Sequence, residues 1–564
     1  MKKYIGISIL ALSMSLASCN DFLDKLPDNR TEANTEEKVQ KLLVAAYPDH
    51  DHMAFTEYAS DNVDDMGANN PYTERHLDEY FSWVDETNND TYNQAPEDYW
   101  QDLYQCIETA NMALEGIESM GGATTSTLRE MQAEALLCRA YAHFKLVNVF
   151  AMHYDANDDT TLGISYVTAT EQELNPQYQR ETVKENYAHI AADLEAALPN
   201  VGDSYYEVPK YHFNKNAAYA FAARFYLYYG DYDKAIDYAT RVLGSSPANM
   251  LRNYKYIATL PRDFVEGQGP ILMFMIEPTQ NNALLLQTSK SNQAIWFGPY
   301  YSGKRYSHNE YIGKNETIEG ITKLWGINEA DSYSTYYAQP FRYSGTNLNT
   351  WLTWRLPYMF EITNPVAQTG YRRTVVAAFT GDELLLDRAE AYILKRDFDK
   401  AAKDLTLWAQ NQSSRAQEMT PESIQEVAQS VAYSYDKIDS VGVATPKEAV
   451  TSTFKKHLNP KFTIDAEGSV QESMLQAVIA MRRVETLHEG KRWFDIKRWG
   501  IEIPRRLMNG SGEPVSISDW LTVDDPRRAI QIPQSVREAG YTPNPRATKD
   551  DAGEKLIPNS FLLK

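Results

Sequence analysis

The sequence predicts a mainly α-helical protein: a tetratricopeptide-like scaffold of about four helix pairs, carrying a large, irregular, loop-rich insertion with short strands. Three observations predict it. The stretch 216–243 joins an alanine-crowded helix (Ala217, Ala218, Ala220, Ala222, Ala223) through a turn at Gly230-Asp231 to a second helix. That second helix shows Tyr232, Ala235, Ile236, Ala239 and Val242 on one face. The unit then returns: ARFYLYYGDYDKAIDYA from Ala223 is echoed by AEAYILKRDFDKAAKDL from Ala389, with Asp231, Asp233, Lys234 and Ala235 recurring as Asp397, Asp399, Lys400 and Ala401. Between 251 and 375, by contrast, no helical period survives. A helix pair with one apolar stripe must stack on neighbours, so these units form a scaffold rather than a reaction centre.

Taken in order, residues 1–18 form an export leader. Lys2 and Lys3 give the positive start, Ile5 to Leu16 the short apolar run, and Leu16-Ala17-Ser18-Cys19 matches a bacterial lipobox. Cys19 is therefore the expected lipid attachment point, and several acyl chains on one residue make a stable anchor. The apolar run is too short for a spanning helix, and no other stretch of the sequence suits one. The net charge is −22, two units more negative once Lys2 and Lys3 leave with the leader, which argues against a nucleic-acid partner. Cys106 and Cys138 fall on helical apolar faces and read as buried thiols; spacing does not decide whether they pair.

A helix is expected over 36–47, then an irregular stretch at 48–96 rich in Asp, Asn, Tyr and His, with Tyr80 and Trp83 in its middle. Trp100, Leu103, Tyr104, Ile107, Leu114 and Ile117 make the stripe of a helix over 99–118. Asn111 on that stripe reads as a buried amide holding a loop. Thr127 with Glu130 and Thr182 with Glu185 have capping-box spacing and would open the next two helices. The second half is the region 251–564, following an N-terminal helical region 19–250. It begins with Gly267 to Ile276, read as a buried strand, and an insertion, 251–375, crowded with aromatics beside Gly, Asn, Ser and Thr. Trp296, Tyr300, Trp325 and Tyr343, joined by Trp83, are the expected stacking platform. Aromatic faces complement the apolar C–H face of a pyranose, while its hydroxyls need amides and carboxylates.

The last helix pair falls at 382–411, and 412–470 is polar apart from a helix at 421–435. Arg482, Arg483, Glu485, Glu489, Arg492, Asp495 and Arg498 then alternate sign at three- and four-residue spacing, which suits an ion-pair lock between helices. The tail, 501–564, shows little regular pattern. Neither a nucleophile elbow, a zinc helix nor a phosphate loop occurs, and no metal or cofactor is called for. Asp155, Asn157 and Asp159 alternate like the start of a calcium loop, but Thr160 and Tyr166 stand where glycine and glutamate are wanted. Asp61, Asp64 and Asp65 are likewise inconclusive.

Several of these stretches together resemble the SusD/RagB family. They are the lipobox followed by CNDFLD, the Trp100/Tyr104/Ile107/Asn111 helix, Glu134 with Arg139-Ala140, Gly163 to Val167, Arg180 to Lys184, Asp382 to Glu390 and above all Glu489 to Gly500. Met481 departs from the acidic residue the family usually carries before its paired arginines. The resemblance implies a lipid-anchored outer-membrane protein of Bacteroidetes-type bacteria, facing the cell exterior. Such a protein captures oligosaccharides and passes them to a SusC-like TonB-dependent transporter without catalysis. Peptide capture, as in RagB-like members, is the alternative; a surface glycosidase is a third reading, which needs two facing carboxyls that sequence does not show.

Overall fold

A computed structural model describes residues 33–87, 94–173, 176–264, 267–298, 303–327, 332–343, 349–434 and 453–546. Its principal helices, numbered in chain order, are α1 (Glu36–Val44), α2 (Met53–Ala59), α3 (Arg75–Phe81), α4 (Pro96–Ser119), α5 (Ser126–Phe150), α6 (Val183–Ala197), α7 (Lys215–Tyr229), α8 (Tyr232–Leu243), α9 (Gly381–Leu394), α10 (Phe398–Gln412), α11 (Val470–Glu485) and α12 (Arg492–Trp499). They pack in succession, α4 on α5, α5 on α6, α7 on α8, α8 on α9 and α9 on α10, so the predicted helical scaffold stands. All five alanines of α7 are buried, which lets α8 approach closely. Asn214 opens α7 by accepting from the Ala217 N–H, and Gly230 (φ 88°) ends it. Asp231 then caps α8 by accepting from the Lys234 N–H. In the echo, Arg396 (φ 65°) takes the position of Gly230.

Helix ends mostly follow the sequence signals. Thr182 and Glu185 form the expected capping box of α6. For α5 the cap is Thr125, which accepts from the Leu128 N–H, rather than Thr127. Asn111 holds a loop as expected: its Nδ2 donates to the carbonyls of Val167 and Ala169, both at 3.2 Å, and its Oδ1 accepts from Arg139. Cys106 and Cys138 are buried and unbonded.

Strands supply the departures. The stretch read as a strand at 267–276 is instead a short helix, Pro270–Met275. Proline removes a ladder donor from a sheet but fits the first turn of a helix, where its N–H would be unpaired anyway. The true strand follows as β2 (Ala283–Lys290), which joins β7 (Thr369–Thr380) and β6 (Met359–Asn364) in an antiparallel sheet of order β2-β7-β6. A second sheet, β3-β1-β8-β9, gathers β1 (Asp64–Asp65), β3 (Tyr306–Ser307), β8 (Ile503–Met508) and β9 (Pro514–Leu521). It draws on the stretch 48–96 and on the tail, both of which read as irregular. Phe341–Tyr343 and Thr350–Leu352 form a small hairpin.

Of the three hydrophobic clusters among the described residues, the largest runs from Ala46 to Tyr541, across residue 250. The C-terminal region ties it together through cations set on helix ends. Lys497 donates to the carbonyls of Asn148 in the last turn of α5 and Ala151 just past it, Arg498 to Leu227 in α7, and Arg505 to Tyr58, Ala59 and Ser60 at the end of α2. These carbonyls are the acceptors that a helix leaves unpaired, and positive charge is favoured there. The predicted ion-pair lock is present but reaches further than its own spacing. Arg482 pairs with Asp495 at 3.0 Å, yet also with Glu390; Arg483 and Arg492 reach Asp61; Arg483 and Arg506 reach Glu316. Asp64 and Asp65 pair with Arg506 and Arg305, so these acids belong to the fold.

Candidate functional site

The expected platform of aromatics does not assemble as a surface. Trp325 is fully buried, edge-on to Trp408 and Tyr336 with ring centroids 5.9 and 5.2 Å away. Trp296 is buried between Tyr58 and His76. These two positions correct the sequence reading. Trp296 lies in a short helix and Trp325 in a 3₁₀ turn, where burial follows neither period, so an off-period aromatic is not thereby an exposed one. Tyr343 is half-buried in its hairpin, 5.5 Å from the ring of Phe341. Tyr300 and Cys19 lie outside the described residues.

Trp83 borders a cavity of about 220 Å³. The end of α3 and the segment behind it line one part, with the first turn of α4; the stretch 527–546 lines the rest. Trp83 has φ 53°, a left-handed conformation that costs a bulky residue about 1–3 kcal/mol. Its Nε1 donates to the Ala59 carbonyl at 2.9 Å and the Arg505 guanidinium lies 3.8 Å from its ring centroid, which together hold the indole in place.

Polar groups surround this apolar floor. Tyr80 donates to Glu86 at 3.1 Å, Glu79 accepts from Arg75 and Thr87, and Arg546 pairs with Asp85 at 2.8 Å. From the tail come Gln531, donating to the Asn544 carbonyl, and Arg537, donating to that of Ile532. Burial lifts the Glu86 carboxyl to about 8, and the neighbouring charges of Glu79, Asp98 and Glu97 push the same way, so at neutral pH it keeps its proton and can donate. An aromatic floor with a rim of carboxyl, amide and guanidinium groups suits a small polyhydroxylated ring. The cavity is smaller than the roughly 300–1,000 Å³ usual for ligand sites, so it takes one ring or chain end rather than a polymer.

Beyond the other end of α3, Tyr72 is 72% exposed. Its carbonyl accepts from the Arg305 N–H, and Asn70 beside it donates to the Lys304 carbonyl. This ledge was missed in the sequence because Tyr72 is one of 38 tyrosines; the turn-forming Asn69-Asn70-Pro71 before it is the signal that marks it. The Asp155 loop spends its acids locally: Asp155 accepts from the Asn157 N–H, and Asp159 pairs with Lys184. Among the described residues no three His, Cys, Asp or Glu side chains gather as a metal site, and no helix is long and apolar enough to cross a membrane.

Residues 21–227 match a SusD-like family described as starch-binding and associating with the outer membrane. No curated protein matches the chain. Among solved structures, a SusD superfamily protein from Bacteroides thetaiotaomicron is 18% identical with a TM-score of 0.55, covering 91% of this chain and 100% of its own. Another, from Bacteroides vulgatus, is 17% identical with a TM-score of 0.57, covering 92% and 100%. A laminarin-binding SusD-like protein is 16% identical, with a TM-score of 0.51 and coverage of 92% and 99%. The likeness is thus one of sequence over residues 21–227, and one of fold over about nine-tenths of the chain.

Proposed function

We propose that this protein is a non-catalytic, cell-surface lipoprotein, anchored through Cys19 in the outer membrane, that captures glycans and delivers them to a SusC-like TonB-dependent transporter. The observation that carries the reading is the family match over 21–227, whose description is starch binding at the outer membrane. The Trp83 cavity supports it with an indole floor and a rim of hydrogen-bonding groups, and Tyr72, beyond the other end of α3, offers an exposed ring. A glycosidase reading gains nothing from this geometry. Among the described residues each lining carboxyl is already engaged: Glu79 by Arg75 and Thr87, Asp85 by Arg546, Glu86 by Tyr80, Glu97 by Ser535 and Glu538 by Gln534.

The test is calorimetric titration of the mature protein with neutral glucans, short neutral glycans and oligopeptides. Capture of a glucan without cleavage is expected, with Tyr72→Ala and Glu86→Leu each weakening it about tenfold through a lost stacking face and a lost donor. Trp83 is left intact because it also supports the fold. Binding of peptides alone would move the protein to the RagB-like reading, and release of reducing sugar would overturn the non-catalytic one.

A further inference from the structure

Away from the Trp83 cavity the molecule holds a larger hollow, of about 510 Å³, between the turn at 44–50, the middle of α4, the short turn Pro209–Tyr211 and β2. A smaller one of about 50 Å³ adjoins it, and His50 and Gln287 line both. The larger volume lies within the range of roughly 300–1,000 Å³ found for small-ligand sites.

The polar groups here are unevenly spent. Gln287 is 8% exposed, and its Oε1 accepts from Lys145 Nζ and Tyr141 Oη, each at 3.4 Å. An ammonium can only donate, so the amide oxygen faces Lys145 and the NH₂ is turned away from it, in a residue that lines both hollows. That Nε2 has no hydrogen-bond partner among the described residues. Neither has His50 Nδ1, which stands 3.6 Å from Asp102 Oδ2, an oxygen already accepting from the Asp49 and His50 N–H groups.

Lys145 itself lies 4.8 Å from the ring centroid of Tyr141, and burial draws its pKa down to about 8, so most of it is charged at neutral pH. The neighbouring carboxylates, in contrast, are used: Asp49 by Lys290 and Arg373, Asp51 by the Met53 N–H and Ser289, and Glu489 by Lys491. What remains is a set of donors beside an ammonium, which calls for an anionic acceptor. Buried donors without partners are costly in an empty site and are matched when an acceptor arrives. Tyr47 and Tyr211 on the walls of the larger hollow, with Gln105 and Thr288, suit a sugar ring attached to that acceptor.

We propose that this hollow, together with the smaller one beside it, is a second ligand site, which takes the carboxylate of an acidic sugar of the uronic acid class, with Gln287 Nε2 and the Nδ1–H form of His50 as donors and Lys145, on the smaller hollow, as the charge behind them. The proposal rests on the glycan-capture reading and extends it to a second, charged class of sugar.

The experiment titrates the mature protein with glucuronic acid, its neutral methyl ester, glucose and acetate. Glucuronate is expected to bind at least tenfold more tightly than the other three. Gln287→Glu places a carboxylate where the NH₂ now faces the ligand, and should reduce glucuronate affinity at least tenfold. Because that new carboxylate also pairs with Lys145, the melting temperature should hold or rise, which separates loss of binding from loss of fold. Gln287→Leu is the second variant and should weaken glucuronate without affecting a neutral glucan. Equal binding of glucose or the ester, equal binding of acetate, or unchanged affinity in both variants would overturn the proposal. Glucuronate binding with no capture of any neutral glycan would instead overturn the assignment of the Trp83 cavity and leave this site standing.

Discussion

Two groups of acidic residues, one inside the scaffold and one on the cavity rim, show how the same side chain serves structure or binding. In the interior, Asp61, Glu316 and Glu390 each meet two or more cations from the stretch 456–506, and all are essentially inaccessible. The arginines and Lys456 hold Asp61 and Glu316 below the usual carboxylate range despite burial. On the rim, Glu86 has other carboxylates as neighbours and Tyr80 as its hydrogen-bond donor among the described residues, and it moves the opposite way, to about 8. Burial raises both; the partner decides the outcome. The interior acids are locked by what they touch, whereas the rim acid carries a proton it can direct at a ligand.

The sharpest way to break this contrast is to remove a cation from the interior. Arg483→Met strips Glu316 and Asp61 of a shared guanidinium and should cost about 3–5 kcal/mol, read as a shift in denaturant midpoint with an unchanged slope. The pH dependence follows the same logic. A carboxyl whose folded pKa is depressed stabilises above its unfolded value near 4 and loses that contribution as pH falls toward the folded one. Wild type should therefore weaken steeply in acid, and the variant should show a shallower acid limb.

Replacing charge by a neutral bridge gives the next largest effect. Asn111→Ala leaves the Val167 and Ala169 carbonyls and one Arg139 donor without their partner, at a cost of about 2 kcal/mol. Faster amide hydrogen exchange at 165–170 with little change elsewhere is the expected signature; uniform acceleration would mean that the amide supports the whole helix pair.

On the rim the sign reverses. Glu86 has a folded pKa above its unfolded value, so its contribution is complete below about 4.5 and is lost as pH rises through about 8. Glu57, lifted to about 7 by burial, slopes the same way. Glu86→Gln should flatten the fall in melting temperature between pH 5 and 8 by the equivalent of about 1–2 kcal/mol, discounted because water reaches part of the carboxyl, while Glu57 and Asp382, which burial also lifts, keep their own share. An unaltered slope would show that Glu86 ionises as an ordinary surface acid.

What could be read in the sequence follows from how local each signal is. The α7–α8 unit and its echo, the Thr182 capping box and the role of Asn111 depend on neighbours within one or two turns, so spacing reveals them. The charge alternation at 482–498 announced a lock, but Asp61 and Glu316, its principal partners, lie far away in sequence, and no periodicity links them. Aromatic burial failed for the same reason: Trp325 is interior because Trp408 and Tyr336 meet it, not because of the residues beside it. The strand expected at 267–276 failed for a different one, since its apolar content was read ahead of Pro270. The Trp83 cavity was visible only as a single tryptophan, because its other lining comes from a tail with no regular pattern.

The smallest effect separates pairing from burial most cleanly. Gly230 and Arg396 occupy equivalent turns with similar left-handed backbones, at φ 88° and 65°. A side chain is strained there, so Gly230→Ala should cost about 1 kcal/mol. Arg396 carries that strain already, and its compensation is an ion pair to Asp465, with nitrogen-to-oxygen distances of 2.6 and 2.9 Å, on an open surface. Pairs in water contribute little because the charges are screened and the long side chain must be ordered. Arg396→Gly should therefore leave the melting temperature unchanged or raise it, although it deletes a bidentate salt bridge of better geometry than several in the interior. A clear loss of stability would mean that this pair stabilises without burial, and the contrast between interior and rim would then have to rest on geometry rather than on exclusion of water.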